Sequence, residues 1–174
     1  CKMMTYVNDK HTITALVEDQ PGVLNRISSM FRRRGYNISS LAVGKSETVG
    51  LSRMTFVMEG DARTVEMVTK NLHKLVEVIK VSDISEENAV SRELALIRVK
   101  ADVSNRNEIM QIVDIFRAKI VDISPETLIV EVTGDEIKVN SLVDLLQAFG
   151  VYEVMRTGKI AMNRGVTFDV EQKN

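Results

Sequence analysis

The segment Glu18-Asp19-Gln20-Pro21-Gly22-Val23-Leu24 is where the residue types of this 174-residue chain converge on chemistry. A strand ends there, the chain turns, and a helix begins with unbonded N–H groups aimed back at the turn. Such a start attracts an anion, because several donors converge and the macrodipole adds up to ~0.5 of a positive charge. Gly22 has no Cβ, so a ligand can come close to the main chain. Asn37, just beyond the helix, offers both a donor and an acceptor. A free amino acid suits these groups. Its carboxylate would take the N–H groups of Gly22, Val23 and Leu24, with Asn37 and Asp19 addressing its polar ends. Taken in isolation, the segment reads more simply as a helix start with Pro21 in the first turn.

Other reactive residue types are sparse. Cys1 is the single cysteine, so neither an internal disulfide nor a multi-thiolate zinc site can form. His11 and His73 are the two imidazoles, and neither has a partner at metal-ligand spacing. No Gly-x-Ser-x-Gly elbow and no glycine-rich phosphate loop is present, so no catalytic and no metal-binding residue is assigned. Lys plus Arg is 23 against 24 Asp plus Glu, a balance that argues against a protein built to grip nucleic acid. Arg32-Arg33-Arg34 reads either as a solvated helix end favoured by the dipole or as a docking patch for an acidic surface. No apolar run approaches the ~20 residues that span a bilayer, so no membrane role is expected. The chain opens on Cys1 rather than Met, consistent with the loss of a few leading residues, and no secretory signal is visible. A reducing cytoplasm is the expected location, or a plastid where a transit peptide has been removed.

The elements that must position these residues alternate between short strands and helices. Thr12 to Val17 suits a strand, and Val23, Ile27, Met30 and Phe31 recur at helical spacing. Gly35 closes that helix after three arginines. Tyr36 to Val43 and Leu51 to Glu59 read as strands joined near Gly44 to Gly50. Asp61 is placed to cap a helix bearing Val65, Val68 and Leu72, and Leu75 to Val81 is a further β-rich run. Met54, Phe56 and Met58 alternate on the core face of their strand, leaving Leu51, Thr55 and Val57 for a surface that another subunit could cover. The second half repeats the plan. Leu94 to Ala101 is a strand, Ile109 to Phe116 marks a helix, and Ile120 to Ile123 with Leu128 to Val132 forms a hairpin. Asp135 then caps a helix closed by Gly150, and Val151 to Met155 is the last strand. Phe31-Arg32 and Gly60-Asp61 recur as Phe116-Arg117 and Gly134-Asp135, with a shorter second hairpin between them. The expected class is therefore α+β, as two tandem ferredoxin-like βαββαβ domains over residues 1–84 and 85–174, with the junction in the polar stretch Ser85 to Val90. The second half's matching turn, Val103-Ser104-Asn105-Arg106, has neither Pro nor Gly and reads as plain capping.

The string Asp19-Gln20-Pro21-Gly22-Val23-Leu24, followed by Arg34-Gly35-Tyr36-Asn37-Ile38, resembles the ACT domain, a small amino-acid-sensing module. A longer pattern adds Leu51-Ser52-Arg53-Met54, Leu72-His73-Lys74-Leu75-Val76-Glu77-Val78, Arg92-Glu93-Leu94-Ala95-Leu96-Ile97 and Arg156-Thr157-Gly158. In that order it is similar to the small regulatory subunits of acetohydroxyacid (acetolactate) synthase, from about His11 to Gly165. The resemblance implies a regulator with no cofactor of its own. Thiamine diphosphate, Mg²⁺ and FAD would sit on a large catalytic partner, which this chain would activate and make sensitive to valine or another branched-chain amino acid. It also implies a homodimer through the ACT domains, with the effector between them on Asp19, Gly22, Val23, Leu24, Asn37 and Ile38. Many members carry Asn where this chain has Asp19, and an Asp there repels a carboxylate unless it faces the ammonium. An ACT regulator of a different partner is the alternative.

Overall fold

Residues 10–84 and 88–165 are described by a computed structural model, so Cys1 and the junction residues 85–87 lie outside the described residues. The first half runs β1 (Lys10–Glu18), α1 (Val23–Arg34), β2 (Ile38–Lys45), β3 (Leu51–Glu59), α2 (Ala62–His73) and β4 (Val78–Ile84). Its antiparallel sheet has the order β2-β3-β1-β4. The second half runs β5 (Ala89–Lys100), α3 (Arg106–Ile115), β6 (Lys119–Ile123), β7 (Thr127–Gly134), α4 (Glu136–Leu146), β8 (Val151–Arg156) and β9 (Ile160–Asn163). There the order is β6-β7-β5-β8, with β9 also paired to β5. Both halves are ferredoxin-like, and each has its own apolar core.

Alternation and helical period build these cores. Ile13, Ala15 and Val17 face the helices from β1, and Met54, Phe56 and Met58 face them from β3. Val23, Ile27, Met30 and Phe31 close over them from α1, with Val65, Val68 and Leu72 from α2. In the second half Ala95, Ile97 and Val99 meet Ile109 and Val113 of α3, and Val139, Leu142 and Leu146 of α4. Asp61 and Asp135 cap α2 and α4, accepting the N–H of Thr64 and of Lys138 at 2.8 Å each. Gly35 ends α1 with φ 69°, in the left-handed region.

Several elements differ from the sequence expectation. Pro21 lies in the turn ahead of α1 rather than within its first turn, because Gly22 caps the helix at φ 87°. Gly44 belongs to β2, and β4 begins only at Val78 after a tight turn at Leu75. The second-half strand starts at Ala89, inside the expected junction, because its first four residues pair with β9. That makes β9, not the strand at Val151, the last of the described strands. Thr55 and Val57 do not await another subunit, since both are already buried within this chain.

The burial of Val57 comes from how the halves meet. Thr12 and Val57 lie on the sheet face away from the helices, yet they are only 2% and 3% exposed. Between β8 and β9 the chain leaves the second sheet and touches the first. The Lys159 N–H donates to Ser40 Oγ at 2.8 Å, and Lys159 Nζ donates to Thr12 Oγ1 at 3.2 Å. Lys10 Nζ meets Glu136 Oε1 at 2.8 Å, adding an ion pair across the same junction.

Gly158 has φ 88°, and a Cβ built there would stand 2.8 Å from the Leu41 carbonyl oxygen. Gly158→Ala is therefore expected to destabilise the chain by about 2 kcal/mol, from left-handed strain plus the backbone clash. Urea unfolding would read this, and an unshifted midpoint would mean the contact is dispensable. The hydrogen bond from Lys10 holds the Glu136 carboxyl below its ordinary value of 4.5 and raises Lys10 in turn. Glu136 thus contributes stability that is fully present above pH 4.5 and lost as pH falls through its lower folded value. Glu136→Gln should cost about 0.5 kcal/mol at neutral pH, a modest figure because the pair is over a third exposed. Its gap to the parent protein should close on acidification below pH 4.5, as followed by unfolding at each pH.

Candidate functional site

At the end of β1 the main chain is held tightly. The Asp19 N–H donates to the Gly50 carbonyl at 2.8 Å, and the Glu18 N–H to the Glu77 carbonyl at 2.8 Å. The chain then turns, with the Val23 N–H on the Gln20 carbonyl at 3.3 Å and the Arg26 N–H on the Gly22 carbonyl at 2.9 Å. Only glycine adopts the left-handed conformation of Gly22 without strain. Apart from its chain neighbours, no atom of the described residues lies within 4 Å of where its Cβ would be, so the space above it is open.

The start of α1 has no side-chain cap and no acidic residue in its first turn. The N–H groups of Leu24 and Asn25 have no acceptor among the described residues. The equivalent turn of the second half is closed from within. Asp102 Oδ1 accepts the N–H of Ser104 at 2.9 Å and of Asn105 at 3.2 Å, and Asn105 Oδ1 accepts the Asp102 N–H at 2.8 Å. The two halves share a topology and differ in this chemistry.

The structure brings four of the six expected site residues together. Asp19, Gly22 and Leu24 are exposed around the helix start, and the Val23 side chain enters the core while its backbone stays in the turn. Asn37 and Ile38 are elsewhere. The Glu59 N–H points to the Asn37 carbonyl at 3.4 Å, Ile38 pairs with Met58, and Glu59 pairs with Lys10 at the opposite end of β1. Eight residue steps of β1 separate the two groups, about 26 Å at ~3.3 Å per residue. The cause is topological. A helix that crosses from one strand to a parallel strand in the same sheet runs back along it, so β2 must begin where α1 ends.

β2 is an edge strand of its sheet, and Leu41 and Val43 on it are exposed. Such an edge is a template for pairing with another strand. Glu77 is a residue that sequence reasoning left unassigned. It pairs with Arg26 of α1, while its other carboxylate oxygen is buried without a hydrogen-bond partner. Its neighbours Val76 and Val78 give no hint of that role. Arg32, Arg33 and Arg34 are exposed at the far end of α1, and His73 is exposed at the end of α2. Among the described residues no group of three or more His, Cys, Asp and Glu is arranged to hold a metal ion. None of the described helices is long and apolar enough to cross a membrane.

Comparison with known proteins covers both halves. Residues 13–80 match the family described as AHAS small subunit-like ACT domain, and residues 92–165 match that described as small subunit of acetolactate synthase. The chain is 56% identical over 156 residues to the probable acetolactate synthase small subunit of Archaeoglobus fulgidus, covering 90% of this chain and 98% of that protein. It is 48% identical over 155 residues to the acetolactate synthase small subunit of Mycolicibacterium smegmatis, covering 89% of this chain and 91% of that protein. The crystal structure of the acetolactate synthase small subunit from Thermotoga maritima superposes with a TM-score of 0.86 at 46% identity, covering 91% of this chain and 99% of that one. With both halves matched and the relatives aligned almost from end to end, the chain belongs to the acetolactate synthase small-subunit family.

Proposed function

We propose that this chain is the amino-acid-sensing subunit of an acetolactate synthase, which activates a large catalytic subunit and inhibits it when valine binds. Residues 1–84 form the sensing unit and residues 85–174 the second unit. Thiamine diphosphate, Mg²⁺ and FAD reside on the catalytic partner, in the cytoplasm, and this chain selects between states of the complex. The observation that carries the reading is the uncapped, acid-free start of α1, which stands open beside an unpaired edge strand.

Antiparallel pairing of two β2 strands completes the site. Centred on Leu41 and Ala42, it sets the partner subunit's Asn37 and Ile38 beside Lys45 and Ser46. Ser46 donates its N–H to the Leu51 carbonyl, at the end of the sheet where Asp19 meets Gly50. One chain then supplies Asp19, Gly22, Val23 and Leu24, and its partner supplies Asn37 and Ile38. The effector carboxylate takes the free N–H groups of Leu24 and Asn25, its ammonium faces Asp19 and the Asn37 side-chain carbonyl, and its side chain packs on Leu24 and Ile38. Burying a valine side chain contributes roughly 1.5 to 2 kcal/mol, and each charge-assisted hydrogen bond about 1.5 to 3 kcal/mol. After ordering costs the affinity falls in about the micromolar to millimolar range, which suits a metabolic sensor. A difference of roughly 1 to 3 kcal/mol between two states of the complex is enough for inhibition.

Gly22→Asp places a fixed negative charge where the carboxylate docks, at a position with room for the side chain but at a left-handed backbone whose strain costs roughly 1 kcal/mol of stability. It should abolish valine inhibition and the heat of valine binding while leaving activation intact. Acetolactate formation by the large subunit with each variant, with and without valine, would read both effects. Equal loss of activation and inhibition would refute the assignment, as would turnover by this chain alone. Asn37→Ala should weaken valine binding about ten-fold or more. Mixing Gly22→Asp chains with Asn37→Ala chains should restore one intact site per mixed dimer, because both defects fall in the other site. Calorimetry that finds no recovery in the mixture would mean the site is not shared between chains.

A further inference from the structure

Where the two halves meet, beside Gly158, lies a cavity of about 370 Å³, within the roughly 300–1,000 Å³ range of small-molecule sites. Its wall carries the cations Lys10, Arg92, Arg156 and Lys159 and the carboxylates Glu93, Asp135 and Glu136. The carboxylates are all engaged. Glu136 takes Lys10 at 2.8 Å, Glu93 takes Arg156 Nε at 3.2 Å, and Asp135 takes the Lys138 N–H at 2.8 Å.

Two cations are left over. Among the described residues the half-buried Lys159 ammonium donates only to the neutral hydroxyl of Thr12, at 3.2 Å. Among the described residues the Arg92 guanidinium donates only to the preceding carbonyl, of Ser91, at 2.7 Å. Neither has an ion-pair partner among the described residues. An ammonium has three donors and a guanidinium five, so most of their capacity is unspent. Among the described residues the half-buried Lys159 ammonium has only the longer-range charge of Glu136, itself paired with Lys10, to offset it. Arg92 is exposed and keeps its other donors free for a ligand.

We propose that this cavity is a second ligand site, distinct from the start of α1, which takes a small oxyanion bearing a carboxylate or phosphate group on Lys159 and Arg92. Lys159 also holds Thr12 and Ser40 of the first sheet, so the bound anion sits on the junction between the halves and stabilises it by mass action.

The test titrates the full chain with inorganic phosphate in one arm and with succinate in another, at constant ionic strength made up with chloride. Calorimetry and thermal unfolding are the readouts. Saturable binding of one anion per chain is expected, with a rise in Tm that chloride does not reproduce. The arm that binds more tightly identifies the class of the natural ligand as phosphorylated or carboxylic. Lys159→Gln and Arg92→Gln should each weaken binding at least about ten-fold, and the exposed Arg92 makes its variant the safer one for folding. Gly22→Asp should leave this binding unchanged, so the site stands or falls separately from valine sensing. Absence of saturable binding to the folded parent chain in both arms would overturn the proposal. Unaltered affinity in the folded Arg92→Gln variant would do so too.

Discussion

The start of α1 is where this fold, among the described residues, leaves main-chain donors unsatisfied. α2 and α4 spend an aspartate on capping their first turns, and the loop before α3 is tied up by Asp102. α1 instead has a left-handed glycine and no acid, so its donors face solvent. A glycine at the N-cap in place of a capping side chain costs roughly a few tenths of a kcal/mol of helix stability. The stripe Val23, Ile27, Met30 and Phe31 offsets that cost by burial against β1 and β3. The packing of the helix makes the open start tolerable, and the proposed effector carboxylate would dock on those open donors.

The direction of the chain then decides what one subunit can do alone. Because α1 runs back along the sheet, Asn37 stands at the far end of β1 from Gly22. No side-chain movement covers about 26 Å. The β2 edge removes the difficulty by symmetry, since an antiparallel two-fold pairing exchanges the ends of the strand. In the proposed function, subunit pairing and sensing are thus one physical requirement, and the exposed apolar positions Leu41 and Val43 lie on the same strand.

Much of this architecture is legible in the sequence because period reports burial. The apolar stripes of α1 and α2, the alternation of β3 and the caps Asp61 and Asp135 all rest on neighbours within a few residues. What the sequence hides is non-local. Ile160-Ala161-Met162-Asn163 is only four residues long, and its partner Ala89 to Arg92 lies far back in the chain, so β9 has no local signature. Alternation places Thr55 and Val57 on the outer face but cannot say that the chain itself covers them. Asn37 is the instructive case. Its residue type and motif position point to a site, while the strand–helix–strand order, followed in three dimensions, puts it at the wrong end for a single chain.

The contact at Gly158 links these themes. It presses on Ser40 and Leu41, which lie at the middle of β2, the strand whose pairing would complete the sensing site. A glycine in van der Waals contact with a backbone carbonyl has no side chain to rearrange, so a shift of β2 must be taken up by movement of the segment from Thr157 to Lys159. That segment is anchored on the second sheet, with the Thr157 N–H on the Leu94 carbonyl at 3.0 Å and Thr157 Oγ1 accepting the Leu94 N–H at 3.1 Å. Displacement of β2 is therefore conveyed to β5 through a short, hydrogen-bonded path rather than dissipated in a loose linker. Coupling between distant sites needs an element that both of them bias. In the proposed dimer that element would be β2, paired at its open edge with a second subunit and touched on its outer face by the second half of its own chain through Lys159 and Ser40.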